Sequence, residues 1–155
     1  MVYHLLILAH VSGVTILGGA IIFGQMHQLR ARRSQDVRFI AETYRTLYLT
    51  IMPFAPIGGI TLLLSGITLV YLGGYPVQGW LFVLILLFAF EVIEGITHYR
   101  PHARKLMNLS KEAAQLGIIT PELTAMMDNR LANALLYLDV PNFFIIAALA
   151  TFKPF

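Results

Sequence analysis

Glu91, Glu94 and His98 stand three and four residues apart in the segment "FAFEVIEGITHYRPHARK", a spacing that places all three on one face of a helix. Two carboxylates and an imidazole on one face suit two kinds of chemistry. Helical bundles hold metals with Glu and Glu-x-x-His elements projecting inward, and the same groups can relay protons. Asp139, followed by Asn142, and His27 fall near the same end of their own apolar stretches and could join the set. The chain has no cysteine, so such a site suits iron, manganese or zinc better than copper(I). The competing arrangement is an ion-pair network, with Arg45 or Arg130 neutralising the glutamates. His10 is a candidate of another kind. Apart from His4 near the surface, it is the only ionisable group in the first half of the first apolar stretch. A neutral imidazole there can bond a carbonyl, or it can be the axial ligand of a haem iron. The corresponding halves of the other apolar stretches contain no His or Met, so a bis-ligated haem at that depth cannot come from one chain. Near the other end, His27 and His98 could form a pair.

Whether these groups are wet or buried depends on their solvent. Of the 155 residues, 57% are hydrophobic and 12% charged, and the mean hydropathy is +0.72. A soluble domain carries about a quarter charged residues, so this is a membrane composition. Residues 1–29 and 46–90 contain no Lys, Arg, Asp or Glu, and Asp139 is the only charge between Leu131 and Phe152. At ~20 residues per helical span, the first stretch fits one crossing, the second two and the third one. The expected fold is all-α, an antiparallel four-helix transmembrane bundle in a single domain. Its spans fall near 3–26, 47–72, 79–98 and 132–152.

Ten of the eleven basic residues lie in two connections, 27–46 and 99–131, with Lys153 the exception. The positive-inside rule puts both connections in the cytoplasm and both termini outside, across a bacterial inner membrane. The basic runs then read as topology signals and phospholipid contacts, not as a nucleic-acid surface. With no basic n-region and a long apolar run, the N-terminus reads as a span and not as a cleaved signal.

Local signals fill in the elements. Ala9, Gly13, Ala20 and Gly24 make a small-residue face suited to close helix packing. Ser34 is a candidate N-cap for a helix lead-in carrying Val37, Ile40, Tyr44 and Leu47. Pro53 and Pro56 predict a kink, "GGYPVQG" a tight turn, and Leu106, Leu109, Ala113 and Leu116 a short amphipathic helix. Thr120 and Pro121 mark the start of another helix.

With these residues placed, the chain resembles the HemJ-type protoporphyrinogen oxidases and their four-span relatives in the CopD-like group. "LLILAHVSGVTILGGAIIFGQMHQLRAR" is similar to that family's first helix, with His10 at the place of its haem-ligating histidine. "AETYRTLYLTIMPFAPIGGITLLLSG" looks like its lead-in and membrane proline, "QGWLFVLILL" like the start of its third helix, and "YLDVPNFFIIAALATFKPF" like its fourth. The chain departs from the family in lacking a lysine after Trp80, in having Leu138 where an asparagine precedes the acidic residue, and in placing Glu94 near the third-helix histidine. The resemblance implies haem b on His10 and a possible membrane oxidoreductase. The residues alone leave two other functions open: a metal- or ion-handling bundle on Glu91, Glu94, His98, Asp139 and His27, or a cofactor-free accessory subunit. A homo-oligomer or a larger membrane complex fits either.

Overall fold

The computed structural model describes residues 1–74 and 78–153, so the centre of the expected turn at 75–77 lies outside the described residues. Four helical runs are long and apolar enough to cross a membrane: Val2–Arg33, Val37–Leu72, Gly79–Leu116 and Pro121–Phe152. They form the expected four-helix membrane bundle. α1 spans Val2–Arg33, α2 Val37–Thr46, α3 Phe54–Leu72, α4 Gly79–Glu94, α5 Arg100–Leu116, α6 Pro121–Met127 and α7 Arg130–Phe152. Leu64, Ile67, Phe82 and Ile145 are each more than half exposed along the apolar runs. Such a surface requires lipid, because helices satisfy their own backbone while their side chains face hydrocarbon.

Helix packing in the apolar part depends on glycine. An added Cβ on Gly58 of α3 would stand 2.6 Å from the Leu17 nitrogen of α1, and one on Gly13 would stand 2.8 Å from the Leu62 nitrogen. α1 and α3 therefore meet backbone to backbone. The small-residue face is divided among neighbours: Gly13 serves α3, while Gly24 lies beneath the Tyr99 hydroxyl and Leu47. Gly18, outside the expected set, receives the Phe143 ring of α7. At the end away from the basic connections, the Lys153 ammonium lies 5.8 Å from the centroid of the Trp80 ring, joining α7 to α4.

Pro53 and Pro101, at the two places where an apolar run meets the basic end, are prepared in the same way. Leu47–Ile51 and Gly95–Tyr99 are single π-helical turns, closed by Met52 N–H to the Leu47 carbonyl and by Arg100 N–H to the Gly95 carbonyl. Pro53 and Pro101 come directly after, at or within the first turn of the next α-helix, where a missing N–H costs little. The kink expected at Pro53 and Pro56 thus takes the form of a widened turn ahead of them. The third run does not end at His98. It passes through the second π turn into α5, so the amphipathic helix expected as a separate piece is continuous with α4. Pro141 lies inside α7 and cannot donate to the preceding turn. One residue before its lost partner, the Leu136 carbonyl accepts from Gln25 Nε2 of α1 at 3.0 Å.

The two basic connections are a packed layer and not loops. Ala31, Ile40, Tyr44, Leu47, Leu106, Ala113, Leu123 and Met127 form a cluster of buried residues, with α2 laid on α5. The N-cap of α2 is Asp36, whose carboxylate accepts from the N–H groups of Arg38 and Phe39. Ser34, the expected cap, instead accepts from the Asp36 N–H, which holds the carboxylate in place. Thr120 caps α6 as expected. Leu116 departs from the expected apolar stripe and is exposed, because α5 ends there at Gly117 with φ +72°. Arg32 of α1 closes the layer, donating to Asn133 Oδ1 at 2.9 Å and lying 3.6 Å from Asp128. Truncating Ile40 or Leu106 to alanine is expected to cost ~2–5 kcal/mol, and Gly117→Ala about 1 kcal/mol. Thermal unfolding in detergent micelles checks both.

Candidate functional site

His10 is held between α1 and α3. Its Nδ1 lies 3.1 Å from Ser65 Oγ, and its Cε1 lies so close to Gly66 that a Cβ there would come within 3.2 Å. Ser65 is 4% exposed, and its Oγ also lies 2.6 Å from the Thr61 carbonyl and 3.2 Å from that of Leu62. A hydroxyl has a single proton, and carbonyls can only accept. That proton therefore goes to the Thr61 carbonyl, and the Ser65 oxygen accepts from His10 Nδ1–H. The neutral ring then carries its lone pair on Nε2. A neighbouring helix sets the tautomer, which is how ligating histidines are ordinarily oriented. Ser65 was missed in the sequence, where "LLLSGITL" shows only a serine in an apolar helix.

The second group of polar residues joins α4 to α7. Asn142 Nδ2 donates to Glu91 Oε1. Glu94, one turn on, is 8% exposed. Asp139 is half-buried and lies within electrostatic range of both glutamates. Glu91 and Glu94 thus face the bundle, as their spacing predicts, but among the described residues neither is in an ion pair with Arg45 or Arg130. Arg45 lies 3.4 Å from Glu42 on its own helix. Among the described residues neither Arg130 nor any other arginine or lysine pairs with Glu91, Glu94 or Asp139.

The histidines expected beside them are placed differently. His98 is exposed on the second π turn, its Nδ1 3.0 Å from Thr97 Oγ1, and shares a cavity wall with Glu94. His27 bonds the Phe23 carbonyl of its own helix at 2.8 Å. Among the described residues no three His, Asp or Glu side chains are grouped closely enough to hold a metal ion.

Next to Glu94 the interior stays polar toward the basic end. Gln28 donates to the Tyr99 hydroxyl at 2.9 Å, and Tyr99 is within electrostatic range of Glu94, Asp139 and Tyr44. The Tyr44 side chain is fully buried, yet its hydroxyl has no hydrogen-bond partner among the described residues. A cavity of about 260 Å³ opens between the α4–α5 junction and the start of α7, with Glu94, Tyr99, His102, Asn129 and Ala132 in its wall.

Four apolar helices with an imidazole and three carboxylates inside them define a small polytopic integral membrane protein with a polar interior. The chain belongs to the family described as "Predicted integral membrane protein (DUF2269)", whose profile matches residues 4–154. No curated protein and no solved structure matches it.

Proposed function

We propose that this protein is a small haem-binding membrane protein with His10 as the axial ligand. The observation that carries this reading is the Thr61–Ser65–His10 chain. With the Ser65 proton on the Thr61 carbonyl, the Ser65 oxygen accepts from His10 Nδ1–H, and this tautomer leaves Nε2 as the nitrogen donor. The donor type fits haem b, whose iron takes neutral imidazole. The resemblance of the first helix to that of the HemJ-type oxidases supports the same residue. A bound haem would supply one-electron redox chemistry. The chain's own part is to hold the ring against Gly66 and keep its tautomer, at a depth of ~10 Å by helical rise. The orientation follows from charge: the basic layer lies in the cytoplasm, since ten of the eleven Lys and Arg are in it, and His10 lies in the outer leaflet of a bacterial inner membrane.

Expression with a haem precursor, followed by purification in detergent, tests the reading. The expected result is a Soret band that migrates with the protein on gel filtration, at one haem per chain. Protein with no Soret absorption, before or after titration with hemin, overturns it.

A further inference from the structure

We propose that Glu94 binds an exchangeable proton that arrives from the basic end through the cavity beside it, with Asp139 and Glu91 as its neighbours in the apolar span. A second, separate task for the interior follows, since among the described residues no hydrogen bond joins these carboxylates to His10 or Ser65.

The cavity is the first support. Its volume of about 260 Å³ gives room for several waters at about 30 Å³ each. Its lining is polar where it matters: Glu94, His98 and His102 from the α4–α5 segment, and Asn129 from the start of α7. Glu94 is the buried end of that lining, nine-tenths covered and without a hydrogen bond or ion pair among the described residues. A lone carboxylate in a span costs several kcal/mol, so its charge must be cancelled by something that enters.

The Tyr44 hydroxyl is the second and independent support. It belongs to another helix, is fully buried and lacks a partner. A buried hydroxyl without a protein partner calls for a partner from outside the chain, and a water is the smallest that serves. Tyr99 is in the cavity wall beside Glu94 and within electrostatic range of Glu94, Asp139 and Tyr44, so the polar interior continues from the cavity past Tyr99 toward Tyr44. The π turn at Gly95–Tyr99 widens the helix wall at this point, and such turns recur at functional sites.

The groups around Glu94 favour a proton over a metal cation. Among the described residues no three ligands converge. Asn142 turns a donor, not its carbonyl, to Glu91. At the mouth, Lys105 joins His98 and His102 in the wall, and an ammonium there repels a metal ion. Imidazoles and waters can still pass a proton inward, to Glu94 from α4 and on to Asp139 from α7.

Carbodiimide labelling of the full-length protein tests this. The neutral acid adds to N,N′-dicyclohexylcarbodiimide: the hydroxyl proton moves to one carbodiimide nitrogen, and the carboxyl oxygen bonds the central carbon. Acyl transfer to nitrogen then leaves a stable N-acylurea of one added reagent mass. The expected result is labelling mapped to Glu94 by peptide mass spectrometry, unchanged by excess sodium, magnesium or zinc, and lost in Glu94→Gln protein of unaltered helical content. A water-soluble carbodiimide should reach the same residue in wild-type protein but not in Ala132→Trp, whose indole fills the cavity. The lipid-soluble reagent should label both. Suppression of labelling by a metal ion overturns the proton assignment. Failure of either reagent to label Glu94 in wild-type protein overturns the site or its aqueous route.

Discussion

Gly58→Ala is expected to destabilise the protein by ~1–3 kcal/mol, and Gly58→Leu to prevent α1 and α3 from packing at all. The added Cβ would meet the Leu17 nitrogen at 2.6 Å and the Gly13 carbonyl oxygen at 3.0 Å. Both are backbone atoms, so no rotamer change relieves the clash and the helices must separate. Gly59→Ala is the control, because its Cβ would meet only the far edge of the Phe88 ring at 3.9 Å. It should be close to neutral. Unfolding of the three variants in detergent, followed by circular dichroism, reads the difference. Equal midpoints for Gly58→Ala and Gly59→Ala would mean that α1 and α3 do not meet backbone to backbone. The effect reaches the site: Ser65 lies two turns from Gly58 on α3, ~10 Å by helical rise, so a separated α3 also loses His10.

Ser65→Ala is expected to weaken haem binding by ~10–100-fold, the usual cost of removing the partner that orients a ligating histidine. The His10 ring loses the Ser65 acceptor for its Nδ1–H and keeps only its hydrogen bond to the Leu62 backbone, which holds it less firmly. Ser65→Thr keeps a hydroxyl and should retain most of the affinity. Hemin titrations followed at the Soret band measure all three proteins. Equal affinity in Ser65→Ala would leave His10 as a ligand but remove Ser65 from the site.

The four crossings were legible because a bilayer allows few alternatives: uncharged runs such as 46–90 have to be membrane helices. The Thr120 cap and the Gly13 and Gly24 contacts were legible for the same local reasons, cap chemistry and helical spacing. The basic layer was harder to see. Ile40, Tyr44, Leu106 and Leu123 are dispersed among charged residues, so each piece looked like a short amphipathic connection. Their common core exists only when α2 and α5 come together. Arg45 and Arg130 share a depth with the glutamates but do not pair with them among the described residues, because direction around the helix, and not depth, decides a contact. Arg45 points along α2 to Glu42, three residues away. Ser65 was invisible for the opposite reason, since a single hydroxyl in an apolar helix ordinarily bonds its own preceding turn. Ser65 does so as well, to Thr61, and only the approach of α1 turns its other side to His10.

The placement of the haem ligand is tested most directly by absorption spectra of His10→Ala and His98→Ala, purified side by side after expression with a haem precursor. Loss of the Soret band in His10→Ala, with a full spectrum in His98→Ala, is the expected result. His10 is held between α1 and α3 with its tautomer fixed, while His98 is exposed on its π turn. A full spectrum in His10→Ala together with its loss in His98→Ala would place the cofactor at the basic end and contradict the assignment.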